Sequence, residues 1–187
     1  MATKTLHLAS NSTSRAGLLR QFGVSFVQEA PVYDEEQIRT DDAKAFVTIA
    51  SQGKMESAVR AFGLSRPLLC ADSVIALADG KILRKPKTLA EARAILQMQS
   101  GSRLSILSAL VYQTSHRYLS NLSATHYHFA PFEEADLEAY LESGLWEGKA
   151  GGCMVEGFCK RYIRSVEGYE STAMGLQMEV VLPWLER

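Results

Sequence analysis

The chain has 187 residues, 47% of them hydrophobic and 22% charged, which suits one compact domain or two small lobes sharing a core and argues against disorder. Lys and Arg number 20 against 21 Asp and Glu, for a net charge of -1. That near-balance removes the usual electrostatic reason to bind duplex nucleic acid or an anionic membrane, so any polyanion site has to be a local cluster of cations.

Thr5 to Ala9 alternates polar and apolar residues and predicts a first strand, running into Ser10-Asn11-Ser12-Thr13-Ser14. This polar pentad can cap a following helix whose apolar side carries Leu18, Leu19 and Phe22. Gly23 ends that helix, and Val24 to Gln28 predicts a second strand. Pro31 to Thr40 is a polar connection holding Asp34-Glu35-Glu36. A long helix is predicted over Asp42 to Phe62, burying Phe46, Val47, Ile49, Ala50, Ala58 and Val59.

Leu68 to Ala71 reads as a buried strand that Val74 to Leu77 can continue, and Asp79-Gly80 supplies hairpin-turn chemistry. Lys85-Pro86 breaks the pattern before a helix over about residues 89–98, closed by Ser100-Gly101. Leu104 to Tyr112 and Arg117 to Phe129 are predicted as long paired strands, and Ala135 to Leu141 as a helix with acidic residues in its first turn. The rest is punctuated by Gly148, Gly151, Gly152, Gly157, Gly168 and Gly175. No repeat or linker divides the chain, so residues 1–187 are read as a single domain of the mixed α/β class.

No apolar run approaches the roughly 20 residues of a membrane-spanning helix. The opening MATKTLHLAS is too short and too quickly polar for a secretory signal. Cys70, Cys153 and Cys159 are odd in number and irregularly spaced, so a disulfide framework is not expected. A reduced, cytoplasmic, soluble protein is the expectation.

Three features bear on chemistry. The strand leading into Ser10 to Arg15 puts free N–H groups and Arg15 at a helix start, an arrangement that favours an anion but equally describes an ordinary serine cap with a solvated arginine. Asp72 follows the apolar run Leu68 to Ala71 and is expected at or near a strand end, as a general base, a metal ligand or a turn residue. Glu35 in its acidic loop could hold Mg²⁺ or simply be solvated. Lys54, in the second half of the long helix, and Lys85, before a proline, could join Arg15 on a triphosphate or lie on the surface. His126 and His128 share a strand face without an evident third metal ligand. Cys153 and Cys159 lack metal spacing and are read as packing residues. No Walker-type loop, GxGxxG or GxSxG is present.

Taken in order, these residues resemble the Maf family of nucleoside triphosphate pyrophosphatases, also described as septum-formation inhibitor-like proteins. The resemblance runs from the LAS-x-S of Leu8 to Ser12 through Asp34-Glu35, Lys54, Ala71-Asp72-Ser73, Lys85-Pro86 and Ser100-Gly101. It continues through Lys149-Ala150-Gly151 and Glu156-Gly157 to Gly175-Leu176. It implies two lobes flanking a cleft in a mixed elongated sheet, like that of inosine triphosphate pyrophosphatases, often as a homodimer. It implies hydrolysis of a nucleoside triphosphate to monophosphate and pyrophosphate, assisted by Mg²⁺ or Mn²⁺. Under it Asp72 matches the proton acceptor. Ser10, Arg15, Lys54 and Lys85 match phosphate-binding positions, and Glu35, with Asp72, matches the metal position.

The usual Ser-Pro-Arg-Arg of that family is here Ser12-Thr13-Ser14-Arg15. Ser14, Ser73 and Glu156 fall at the positions associated with base choice and differ from the Arg, Thr and Gln of dTTP/UTP-type members. An ionised Glu156 is acceptor-only and suits adjacent N–H donors, as in guanine. The branch acting on 7-methyl-GTP shares Glu156-Gly157-Phe158 but has tryptophan at the place of Ser14. A purine is therefore expected, with modified nucleotides included. A non-catalytic nucleotide-binding regulator of cell division is the alternative; neither nucleic acid nor membrane is an expected partner.

Overall fold

The computed structural model describes residues 5–185. Seven strands form one mixed sheet, in the order β2 (Phe26–Gln28), β1 (Leu6–Leu8), β3 (Leu68–Leu77), β5 (Arg103–Gln113), β6 (Tyr118–Phe129) and β7 (Ile163–Glu167), with β4 (Ile82–Leu83) paired to β3 off that path. Along the chain the elements are β1 (Leu6–Leu8), α1 (Thr13–Gln21), β2 (Phe26–Gln28), α2 (Ala43–Phe62), β3 (Leu68–Leu77), β4 (Ile82–Leu83) and α3 (Leu89–Gln99). There follow β5 (Arg103–Gln113), β6 (Tyr118–Phe129), α4 (Glu134–Glu142), β7 (Ile163–Glu167), α5 (Glu170–Ala173) and α6 (Met178–Leu185). Short 3₁₀ turns occupy Glu35–Gln37, Ala150–Gly152 and Phe158–Tyr162. No helix among the described residues is long and apolar enough to cross a membrane.

Alternation along β3 distributes the core. Leu69 and Ala71 point to one face and pack with α1 and α6 through Leu18, Leu19, Met178 and Val181. Val74 and Ala76 point to the other and pack beneath Phe46, Val47 and Ala50 of α2. A third cluster, beyond the cleft, joins Ile75, Leu83, Leu96, Ile106, Phe129 and Trp146. The two lobes thus share the long strands instead of being joined by a linker.

The ladder leaves one opening. On one side β3 pairs with β5 from Leu68 to Leu77 without interruption. On its other side β1 pairs only at Leu68 and Leu69, and β4 only at Ile75 and Ala76. Residues 70–74 therefore have a strand on one side only, and Asp72 and Ser73 stand in this gap.

Several expectations are corrected. Asp72 is in the middle of a ten-residue strand, not at its end. The missing neighbour strand, not a strand terminus, gives it access to the cleft. Ile49 is half exposed on the side of α2 away from its buried row Phe46, Val47, Ala50, Ser51, Met55 and Ala58. Phe22, at the C-cap of α1, is also exposed. Cys153 and Cys159 form a disulfide, their Cα atoms 6.6 Å apart, while Cys70 is free and buried. Spacing alone missed the pair because Gly157 and the 3₁₀ turn after it fold the chain back on itself. Met1 to Lys4, within the opening read for a signal, lie outside the described residues.

Candidate active site

The end of β1 delivers the first wall. Gln28 of β2 donates its amide to the Ser10 carbonyl at 2.7 Å and fixes the turn. Ser12 caps α1 by accepting from the Arg15 N–H, and Ser10 Oγ accepts from the Ser12 N–H. Thr13 and Ser14 of the first turn line the cleft, and first-turn N–H groups have no intrahelical acceptor.

Arg15 is held at three points by neutral acceptors. Its Nε donates to the Gly175 carbonyl at 2.9 Å, Nη1 to Ser10 Oγ at 3.0 Å and Nη2 to Ser73 Oγ at 3.2 Å. Gly175 has φ +96°, and a Cβ there would stand 3.1 Å from Arg15 Nε and 3.2 Å from Ser73 Oγ. Glycine is required at this position both for its backbone angle and for the space. Burial lowers the Arg15 pKa, and the Asp72 and Glu35 charges oppose that shift.

The opposite wall is ionic. Lys54 Nζ lies 2.5 Å from Asp72 Oδ1 and 2.5 Å from Glu35 Oε1, an ammonium shared by two carboxylates. Asp72 Oδ2 is buried and has no hydrogen-bond partner. Burial pushes the Asp72 pKa up, outweighing the pull of Lys54. Glu35 behaves oppositely: burial raises it, but Lys54, Lys85 and Arg15 together hold it below the usual glutamate value. Tyr33 fixes the Glu35 segment by lying against Gly53 of α2, where a Cβ would collide with its ring.

The cleft between these walls measures about 670 Å³, within the range of small-molecule sites. Ser10, Ser14, Arg15, Glu35, Lys54, Asp72, Ser73, Lys85 and Glu156 all line it, though they come from distant parts of the chain. Ser14 Oγ donates to Glu156 Oε1 at 3.2 Å across the cleft. His126 and His128 are not part of it; His126 Nδ1 instead lies 2.7 Å from Ser105 Oγ. No group of three or more His, Cys, Asp or Glu is gathered for a metal among the described residues. Sequence reasoning missed Tyr33, Gly53 and Ser108, and named Gly175 in the Gly175-Leu176 motif without its part in holding Arg15. Of these Ser108 had a signal, as the one small polar residue in the otherwise large, buried row Leu104, Ile106, Leu110 and Tyr112.

Fold and site together define a mixed α/β protein with a cleft that sets cations and carboxylates around a polyanion-sized space. The Maf family model, described as Maf-like protein, matches residues 5–187, and the chain belongs to that family. The chain is 49% identical over 176 residues to a nucleoside triphosphate pyrophosphatase of Nitratiruptor sp., covering 93% of this chain and 95% of that one. It is 35% identical over 177 residues to a nucleoside triphosphate pyrophosphatase of Helicobacter pylori, covering 95% and 93%. Among solved structures, a nucleoside-triphosphatase, or dITP/XTP pyrophosphatase, of Mycobacterium abscessus aligns over 97% of this chain and 96% of its own, at 16% identity and TM-score 0.47.

Proposed function

We propose that this chain hydrolyses a nucleoside triphosphate carrying a guanine-type base, ordinary or modified, to the monophosphate and pyrophosphate. The observation that carries the reading is the Asp72 carboxylate. One of its oxygens is tied to Lys54 and the other is buried without a partner, in a cleft that also holds Arg15, Lys54 and Lys85.

Arg15, Lys85, Ser10 and the first-turn N–H groups of α1 hold the phosphate chain. Arg15 is already oriented by its three hydrogen bonds, so little freedom is lost when phosphate arrives. Asp72 Oδ2 takes a proton from a water whose oxygen attacks the α-phosphorus; the bond to the bridging oxygen breaks and pyrophosphate leaves. Burial makes Asp72 a stronger base than a free aspartate, and Lys54 keeps it ionised.

A divalent cation such as Mg²⁺ or Mn²⁺ fits Asp72 and Glu35. Both are oxygen donors, the unpartnered Asp72 Oδ2 has one acceptor site for the ion and a second for the proton, and the three cations do not cover a triphosphate and two carboxylates together. When bound, the ion neutralises charge developing on the phosphates.

Base choice falls to Ser14 and Glu156. The Ser73 hydroxyl already accepts from Arg15 and lies 2.7 Å from Ser108 Oγ, so it is committed. Ser14 donates to one oxygen of Glu156 and leaves the other as an acceptor for adjacent N–H donors, the pattern of a guanine edge. Pyrophosphate release from UTP, dTTP, GTP and 7-methyl-GTP, with and without Mg²⁺, tests the reading. Release that is fastest for a guanine nucleotide and dependent on the metal is expected. A strong UTP preference overturns the reading of Glu156, and triphosphate left intact throughout overturns the enzyme in favour of a nucleotide-binding regulator.

A further inference from the structure

Behind the Arg15 wall lies a polar residue that does not touch the cleft. Ser108 sits in the middle of β5, fully buried and paired in register with Ser73. Its Oγ lies 2.7 Å from Ser73 Oγ and donates to the Thr172 carbonyl at 2.7 Å.

The direction of every bond in this row is forced by chemistry. A guanidinium only donates, so Ser73 Oγ accepts from Arg15 Nη2. A carbonyl only accepts, so the Ser108 proton goes to Thr172 and cannot also go to Ser73. The Ser73 proton therefore points to Ser108. The same Thr172 carbonyl accepts the Gly175 N–H at 3.0 Å, and the Gly175 carbonyl accepts Arg15 Nε at 2.9 Å. The circuit closes on the guanidinium it started from. Gln177 Nε2 donates to the Ser108 backbone carbonyl, which holds this stretch of β5 from behind.

We propose that Ser108 is a positioning residue that fixes the Arg15 guanidinium for phosphate by holding the Ser73 hydroxyl in its one accepting orientation. Without the Ser108 oxygen, the Ser73 proton has no acceptor in the row and its hydroxyl is free to rotate away from the geometry that receives Arg15. The segment from Thr172 to Gly175 then loses one of its two links to Arg15. A serine here also explains itself against packing: an alanine would continue an apolar row, and burying a hydroxyl is tolerated because both its bonds are made.

The proposal rests on the reading of Arg15 as a phosphate holder, and the test separates the two. Steady-state pyrophosphate release is measured for Ser108→Ala, Ser108→Thr, Ser73→Ala, the Ser73→Ala/Ser108→Ala pair and Arg15→Ala, with circular dichroism on each. Ser108→Ala is expected to raise KM about tenfold, the scale of one hydrogen bond orienting a charged group, with kcat within about twofold. Ser108→Thr, which keeps the hydroxyl, is expected to restore most of the loss. In the Ser73→Ala background, where the row is already cut, Ser108→Ala is expected to add nothing. An unchanged KM in Ser108→Ala, or losses that multiply in the double variant, overturns the proposal while a raised KM in Arg15→Ala leaves the functional reading standing. An unchanged KM in Arg15→Ala overturns the phosphate reading itself. If Ser108→Ala does not fold, Ser108→Cys carries the same comparison, its weaker thiol donor giving a smaller rise in KM, and no rise overturns the proposal.

Discussion

The two faces of β3 hold their cations in opposite ways. On one, Arg15 is surrounded by neutral oxygens of Ser10, Ser73 and Gly175, and both hydroxyls of the Ser73–Ser108 row are bonded, while Thr172 Oγ1 and Gln177 Oε1 further back are buried without a partner. On the other, Lys54 is divided between two carboxylates, and one oxygen of Asp72 is left with nothing. Asp72 and Ser73 are adjacent residues, and the pleat alone sends them to the two sides. Three bonds to neutral oxygens hold the Arg15 guanidinium still, and the open oxygen beside Lys54 keeps Asp72 ready to accept a proton. One strand therefore supplies a clamp and a base at the same opening in the sheet.

Short of removing the base itself, the largest way to break the contrast is Lys54→Met, which leaves Glu35 and Asp72 facing each other with no cation between them. Pyrophosphate release should fall about a hundredfold. Urea unfolding at pH 8 should show a loss of about 3 kcal/mol, because an unpaired buried carboxylate remains. Stability equal to wild type would mean that Lys54 is not what keeps these acids ionised.

Gly53→Ala attacks the same face more gently. A helix interior gains about 1 kcal/mol from such a change, but here the new Cβ collides with the Tyr33 ring and shifts the segment bearing Glu35. Activity should drop about tenfold while the thermal midpoint moves little, since the gain and the displacement offset each other. Full activity would show that Tyr33 does not place Glu35.

Carboxyl titration of the protein free of metal and nucleotide, followed by ¹³C NMR, sharpens the contrast further. Asp72 should titrate above the ordinary aspartate value and Glu35 below the ordinary glutamate value. The signs fix their effects on stability. The Asp72 contribution is present at low pH and is lost as pH rises through its raised value. The Glu35 contribution is present above its unfolded value and is lost as pH falls through its lowered one. An Asp72 midpoint at or below that of a free aspartate contradicts the account of its burial.

The smallest effect is expected at the Cys153–Cys159 link, which closes the loop carrying Glu156. Reduction with dithiothreitol should weaken discrimination between guanine and pyrimidine nucleotides about threefold and leave the rate on the better substrate nearly unchanged. Unaltered discrimination would free the loop from any dependence on the bridge.

Much of the fold was legible because hydrophobic periodicity reports burial directly. The long helix α2, the paired strands β5 and β6 and the Asp79-Gly80 turn all follow from local pattern. Strand β7 was not legible: Ile163 to Glu167 is short, largely exposed and follows a glycine-rich stretch with no alternation to read. The residues of the cleft were legible through their motifs, but their convergence was not. It depends on where β1 and β4 stop pairing with β3, which is a property of three strands at once. Ile49 misled because an isoleucine predicts burial whichever side of the helix it occupies. The disulfide and the Tyr33–Gly53 contact are close approaches between separate turns, and no spacing rule carries them.

The most direct measurement is pyrophosphate release by Asp72→Asn, taken with its circular dichroism spectrum and its affinity for the same nucleotide. The amide keeps the shape and the Lys54 contact through its oxygen but cannot take up a proton at neutral pH. Turnover should fall about a thousandfold with the spectrum unchanged and the nucleotide still bound. Turnover at the wild-type rate would contradict the assignment of Asp72 as the base.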